Sequence, residues 1–276
     1  MKNRRFLSDL LVYIFLAVAG FFCLFPLLMA LMNSFKTNGE LLTNVMSFPK
    51  SLKFDNYIRT FNKMHYLRSL GNNVLLVGSS VTLIILFSSL AGWKLCRTKT
   101  GLSKIIFSVF VLSMIIPFSS IMIPLYKVVL VLKIKNSILG LSAVYAGLGV
   151  SMAVFLYHGF VKSIPYELEE AAAIDGSSGL HAFFSVVLPL LKPITATICI
   201  TNVLWIWNDF LLPLIVISDS KKYTLLLSTN TLFGQYNNDW TAILSALILA
   251  AIPVIIFYAF FQKRILEGIA DGALRG

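Results

Sequence analysis

The chain has 276 residues, of which 58% are hydrophobic and only 13% charged, about half the charged share of soluble domains. A water-soluble fold could not cover so much apolar surface, which excludes the ordinary globular classes. The net charge is +11, but the basic residues stand between long apolar runs. That placement suits anionic lipid headgroups and points to membrane lipid, not nucleic acid, as the neighbour.

A bilayer core takes about 20 helical residues to cross. The first run that long is 10–32, with Pro26 inside it. Lys2, Arg4 and Arg5 precede it like the start of a signal peptide, but the run is too long for an h-region and no small-x-small site follows, so an uncleaved span is expected. A polar stretch, 33–72, is too long for a tight turn and is expected to be partly folded. Further spans are expected at 73–93, 105–126 (with Pro117 and Pro124), 136–157, 193–217 and 241–261. The fold class expected is therefore an all-α integral membrane protein of about six transmembrane helices, a single domain over 1–276. Prolines within spans, namely Pro26, Pro117, Pro124, Pro213 and Pro253, are expected to kink their helices. Basic residues divide almost evenly between the two sides of such a bundle, although Lys94, Arg97, Lys99 and Lys104 crowd one short loop. Charge alone leaves orientation open.

Cys23, Cys96 and Cys199 are odd in number and far apart, which suggests packing and not disulfides or a metal site. His65, His158 and His181 show no metal-ligand spacing either.

The segment 159–192 differs from the other loops. Pro165 suits a first helical position, because its missing N–H would be unpaired there. Glu167, Glu169 and Glu170 favour the helix dipole at its start. Ala171, Ala172 and Ala173 are strong helix formers. Asp175-Gly176 stops the helix. Ser177 or Ser178 can cap a second helix running to about Leu188, before Pro189. Leu168, Ala171, Ala172 and Asp175 share one face at helical spacing. Small residues for close approach, a sharp turn for shape and carboxylates for pairing with Arg or Lys make a docking knob. An amphipathic helix lying on the membrane would favour Lys and Arg over these acids.

The order Glu170-Ala171-Ala172, Gly176, then Val186-x-Leu188-Pro189 resembles the signature loop of binding-protein-dependent ABC importer permeases, with Val for Ile at 186 as the one departure. The resemblance extends to Pro117-Phe118, to Pro124-Leu125-Tyr126, to Trp207-Asn208-Asp209-Phe210-Leu211 with Pro213, and to the tail from Glu267 to Gly276. Together these are similar to the carbohydrate branch, and to the smaller permease of a maltose-type importer. The resemblance implies a second homologous permease, two cytoplasmic ATP-binding subunits that hold ATP and Mg, and an extracytoplasmic sugar-binding protein. It implies a bacterial cytoplasmic-membrane protein with both termini cytoplasmic. It also implies that Glu167, Glu170, Ala171, Ala172, Asp175, Gly176, Leu188 and Pro189 form a coupling (docking) helix pair between helices four and five. The tail residues Gly268, Gly272, Arg275 and Gly276 would reach toward the ATPase dimer. No G-x-x-x-x-G-K-[ST] phosphate loop occurs, so this chain is expected to be a non-catalytic subunit with no cofactor, metal or catalytic residue of its own.

Asp209 is the one acid expected deep in a span, beside Asn202, Trp205 and Asn208. An ionised group there must face a partner or water. A sugar path and a hydrogen-bonded helix contact are both consistent with it. Ser119, Ser120, Tyr145 and Tyr157 are weaker candidates for such a path. Gly234, Gln235, Tyr236 and Asn237 lie in an external loop that, in similar permeases, reaches into the binding protein; a plain solvated turn reads equally well. An intramembrane hydrolase would need a second catalytic group at depth, and a secondary transporter would show inverted repeats or more intramembrane charge. Within the importer class a polyol phosphate or other solute remains an alternative cargo.

Overall fold

The computed structural model describes residues 2–234 and 238–273. Among them every regular element is helical. The helices are α1 (Lys2–Ser34), α2 (Asn38–Thr43), α3 (Asp55–Lys63), α4 (Tyr66–Arg97), α5 (Gly101–Ser113), α6 (Phe118–Val131), α7 (Ile138–Val161) and α8 (Glu167–Ile174). There follow α9 (Gly179–Leu190, with a π-turn at Phe183–Val187), α10 (Lys192–Trp207), α11 (Leu211–Val216), α12 (Leu225–Ser228) and α13 (Trp240–Ala273). Four helices are long and apolar enough to cross a membrane, and the number rises to six if each of two bent pairs counts as one span.

Two of the expected spans are corrected by their prolines. The run 105–126 is not one kinked helix: α5 and α6 meet at 109°. Proline lacks the N–H that would bond the carbonyl four residues back, and its ring collides with that carbonyl. Four residues before Pro117 is Ser113, the last residue of α5. The run 193–217 breaks for the same reason. Four residues before Pro213 is Asp209, which lies in the gap between α10 and α11. Pro26, Pro124 and Pro253 lie inside continuous helices. The second bent pair is α9 with α10, at 75°.

The chain forms two compact units. One comprises Met1–Tyr66 and Ser228–Pro253. In it the polar stretch after α1 folds as α2 and α3. Thr37 and Glu40 cap α2 reciprocally, each side chain taking the other's backbone N–H. Lys36 is fully buried, and its ammonium donates to the carbonyls of Asn44 and Val45 at 3.0 and 3.1 Å. Asn56 donates to the carbonyls of Ser34 and Lys36. Met64, Leu232, Ala242, Ile243 and Ala246 pack as a small apolar core. By contrast α1 leaves its apolar residues exposed, Phe15 at 70% and Phe22 at 69%, as a lipid-facing helix would.

The other unit comprises Leu67–Leu227 and Val254–Gly276. Its central helix is α7, which buries Leu141, Tyr145, Val154, Tyr157 and Val161 completely. Serines pair along its length: Ser79 with Ser142 at 2.6 Å and Ser113 with Ser151 at 2.7 Å. Such bonds join helices where lipid supplies no hydrophobic drive between them. Helices α4 and α7 touch backbone to backbone at Gly92. A Cβ there would lie 2.7 Å from Tyr157 Cβ and 3.0 Å from His158 N. Gly159, on the same pair of turns of α7, has nothing within 4 Å of its own Cβ position. Gly92→Ala is therefore expected to destabilise the protein by about 1–3 kcal/mol, and Gly159→Ala not to. Thermal unfolding of the two variants in detergent checks this; equal midpoints would mean that α4 can shift away from α7.

Candidate functional site

The segment between α7 and α10 folds as two short helices around one glycine. Pro165 lies two residues before α8, not at its first position as expected; Tyr166 is the N-cap and Pro165 sets the approach. The acids Glu167, Glu169 and Glu170 occupy the first turn. At the other end Gly176 has φ +85°. The N–H of Gly176 bonds Ala173 O at 3.0 Å and that of Ser177 bonds Ala172 O at 2.9 Å. This is the Schellman arrangement, which needs a left-handed residue just past the helix. A Cβ at Gly176 would meet nothing within 4 Å, so glycine is required here by backbone conformation and not by crowding. Ser178, not Ser177, caps α9, its hydroxyl accepting the N–H of His181.

Helix α9 runs two residues past the expected end at Leu188. It does so by widening: Leu188 N–H reaches back to Phe183 O. Pro189 then adds no donor and fits at the start of the next turn. Leu168, Ala171 and Asp175 are exposed, as the shared face predicts, while Ala172 is half-buried. Glu167 and Glu170 are exposed, Leu188 is half-buried and Pro189 is exposed. The tip also presents Ile174 at 86% and Leu180 at 61% exposure. Two large apolar side chains at the tip of a polar turn are a contact surface, and neither had been singled out from the sequence.

What fixes the pair in place is Glu169. Its carboxylate is buried and accepts Trp93 Nε1–H at 2.9 Å and Arg97 Nε–H at 2.8 Å. Arg97 also donates to Ile164 O at 2.9 Å and covers the Tyr166 ring. Phe183 of α9 packs on Trp93 with ring centroids 5.0 Å apart. Both short helices thus close on the last turn of α4. The sequence offered three acids in one turn and no sign of which one turns inward.

The second cluster surrounds Asp209. Its Oδ2 accepts the hydroxyl of the fully buried Tyr145 at 2.8 Å, and its Oδ1 accepts Leu211 N–H at 2.9 Å, capping α11. Asp209 thus sits at a helix break, not within a continuous helix as the span 193–217 implied. Trp205 stands edge-on to Tyr145 at 5.5 Å and is 42% exposed. Asn202 and Asn208 each donate to a carbonyl one turn back in α10, Ile198 and Leu204. A cavity of about 550 Å³ lies where α5 and α6 part, lined by Ser113, Ser151, Thr201, Asn202 and Trp205 among others. Tyr157 bonds Thr195 and takes no part in this cluster.

The sequence profile described as "Binding-protein-dependent transport system inner membrane component" matches residues 84–270. The chain belongs to that family. Among relatives, "Probable starch degradation products transport system permease protein AmyC" of Thermoanaerobacterium thermosulfurigenes is 39% identical over 250 residues, 91% of each chain. The melibiose/raffinose/stachyose import permease protein MelC of Bacillus subtilis is 33% identical over the full length of both. A crystal structure of a bacterial ABC transporter involved in alginate import superposes with a TM-score of 0.80 at 20% identity, over 93% of this chain and 96% of that one. The last comparison establishes a shared fold. This protein is thus an ABC-importer permease, helical and multi-pass.

In the permease, the base of the expected binding-protein loop is tied within its own unit. Gly234 N–H donates to Asn238 Oδ1, Asn38 bridges Asn238 O and Trp240 N–H, and Arg59 pairs with Asp239 at 2.8 Å. Gln235, Tyr236 and Asn237 lie outside the described residues. At the tail, Gly268 and Gly272 belong to α13, which continues to Ala273. A glycine-rich run too weak to nucleate a helix can extend one already formed, because propagation avoids the nucleation penalty. Arg275 and Gly276 lie outside the described residues.

Removing one partner of the Arg97–Glu169 pair strands the other in a buried site, a loss of roughly 3–5 kcal/mol in comparable pairs. Arg97→Ala and Glu169→Ala should each raise hydrogen exchange across 167–190, and Arg97→Met with Glu169→Leu should restore much of the protection. Unchanged exchange in either single variant would mean that Trp93 and Phe183 suffice. For Asp209, the Asn variant should assemble and Asp209→Leu should not, since it leaves the Tyr145 hydroxyl unpaired at roughly 1–3 kcal/mol. A well-assembled Leu variant with a raised substrate requirement would instead place the carboxylate on the substrate path.

Proposed function

We propose that this chain is one permease of an ATP-driven, binding-protein-dependent importer for a sugar or oligosaccharide. The observation that supports it most is the exposed helix–turn–helix 167–190, whose residues follow the family's loop pattern and whose apolar tip is exposed among the described residues. The names of its relatives, which transport starch products or melibiose-type sugars, support a carbohydrate cargo. In this reading the chain is one permease domain that pairs with a second, homologous permease. It catalyses no reaction. Two cytoplasmic subunits bind ATP and Mg, and an extracytoplasmic protein delivers the sugar. Both termini and 159–192 are cytoplasmic, and 33–72 and 218–240 are external, in a bacterial cytoplasmic membrane.

The coupling runs through named parts. Closure of the ATP-binding subunits pushes on the face of Leu168, Ala171, Ala172 and Asp175 and on the Ile174 tip. Glu167 and Glu170 are free to pair with basic residues there. Gly176 with Leu188 and Pro189 holds the shape of the pair, and Glu169 passes the movement to α4 through Arg97. The tail residues Gly268, Gly272, Arg275 and Gly276 contact the ATPase interface. The loop of Gly234, Gln235, Tyr236 and Asn237 meets the binding protein. Around Asn202, Trp205, Asn208 and Asp209 the polar groups are largely engaged in structure, so the cluster shapes the path more than it grips the cargo.

Glu170→Ala and Gly176→Pro are expected to abolish labelled-sugar uptake by the assembled complex in membrane vesicles while its assembly persists. Gly176→Asn should be milder, because asparagine tolerates positive φ. Normal uptake by both of the first two variants would overturn the coupling role. Labelling of Ser177→Cys by an impermeant thiol reagent from outside intact cells would overturn the orientation.

A further inference from the structure

Where α4, α5 and α7 end together, beside the Glu169 clamp but apart from it, lies a cavity of about 460 Å³. Lys99, Lys104, Lys162 and His158 line it, with Thr98, Ser103 and Ser108. Among the described residues no carboxylate lines it, and the only ion pairs are Arg59–Asp239 and Arg97–Glu169. Three lysines and a histidine therefore converge on one concave site in which no described lining residue is acidic. Like charges held together in this way repel unless an anion is present.

The walls also change character along the membrane direction. On α5 the residues Lys104, Ser108 and Leu112 follow at four-residue spacing and share a face. They run from cation to hydroxyl to an apolar side chain 61% exposed. On α7 the same direction runs from Lys162 through His158 to Phe155, which is 45% exposed. Phe107 bridges the two helices, its ring stacked on His158 at 3.9 Å and on Phe155 at 6.4 Å. A free anion would use the basic end alone. A molecule with a phosphate head and acyl chains would use both.

We propose that this cavity is a binding site for an anionic phospholipid, the phosphate held by Lys99, Lys104 and Lys162 and the chains lying along Leu112 and Phe155. Basic pockets between helices at the cytoplasmic face are suited to such headgroups. The proposal needs that the chain spans a bilayer and rests on the proposed orientation for its cytoplasmic face; it does not depend on the cargo or on the ATP-binding subunits.

The test is native mass spectrometry of the full-length protein in detergent, titrated with phosphatidylglycerol, with phosphatidylcholine and with inorganic phosphate. Phosphatidylglycerol should bind more tightly than phosphatidylcholine. The variant Lys99→Gln with Lys104→Gln and Lys162→Gln should lose about a hundredfold in that affinity, at roughly fivefold per lysine. Arginine at the same three positions should retain it. Glutamine at Lys127, in α6, and at Lys135, between α6 and α7, should leave it unchanged. Inorganic phosphate should fail to displace the lipid at concentrations that saturate it. Equal binding of the two lipids, or a triple glutamine variant indistinguishable from the parent, would overturn the proposal. So would displacement by inorganic phosphate, which would make this a free-anion site. If the triple variant bound the lipid normally but lost its ATP-binding subunits from the assembled complex, the basic cluster would be a protein contact instead.

Discussion

The carboxylate of Glu169 is the point on which the working arrangement of this permease turns. It is buried at the junction of a membrane helix and a surface segment, and it accepts from both Trp93 and Arg97. Beside it, Phe183 packs on Trp93 and Arg97 donates to Ile164 O, so the carboxylate adds a directional, charge-assisted contact to an apolar one. Buried ion pairs add little to net stability, since desolvation offsets much of the attraction. Their value lies in geometry, for a guanidinium and a carboxylate meet in few orientations. Such a pair fixes the orientation of α8 on the end of α4.

A second constraint is the backbone in lipid. Each unpaired N–H or C=O there costs several kcal/mol, so helices continue unless something removes a donor and something else replaces it. Pro117 and Pro213 remove donors, and the chain breaks four residues earlier in both cases. At the second break an N–H left open by the interruption is satisfied: Asp209 takes Leu211 N–H with one oxygen and the Tyr145 hydroxyl with the other. The break needs an acceptor at depth, and a carboxylate with two oxygens serves both neighbours. At the first break the helices part and leave the cavity lined by Ser113, Ser151 and Trp205. The same chemical deficit thus yields a filled joint in one place and an opening in the other.

The helical class, the positions of the apolar runs and the turn at Gly176 were all legible in the sequence, because each rests on local chemistry: run length, spacing and a residue that accepts positive φ. What was not legible depended on partners distant in sequence. Glu169 stands between Glu167 and Glu170 with nothing local to mark it, and its burial follows from Arg97 and Trp93 more than seventy residues earlier. Asp209 could be flagged as unusual, but its role required knowing that Tyr145 lies opposite. The prolines were noted as kinks without saying which would break. Their common i−4 geometry does not separate Pro117 and Pro213 from Pro26 and Pro253, and it takes the surrounding structure to do so.

The polar groups beside the cavity serve the frame first. Asn202 and Asn208 bond to their own helix, and Asp209 is occupied on both oxygens. These bonds use one N–H of each amide and one bond on each carboxylate oxygen, so donor and acceptor capacity remains on all three side chains. The exposed face of Trp205 remains, and an aromatic face favours the apolar side of a sugar ring without fixing which sugar it is. Asn202 and Trp205 line the opening where α5 and α6 part, so α10 carries both bonds that hold the frame and groups that a solute entering there would meet.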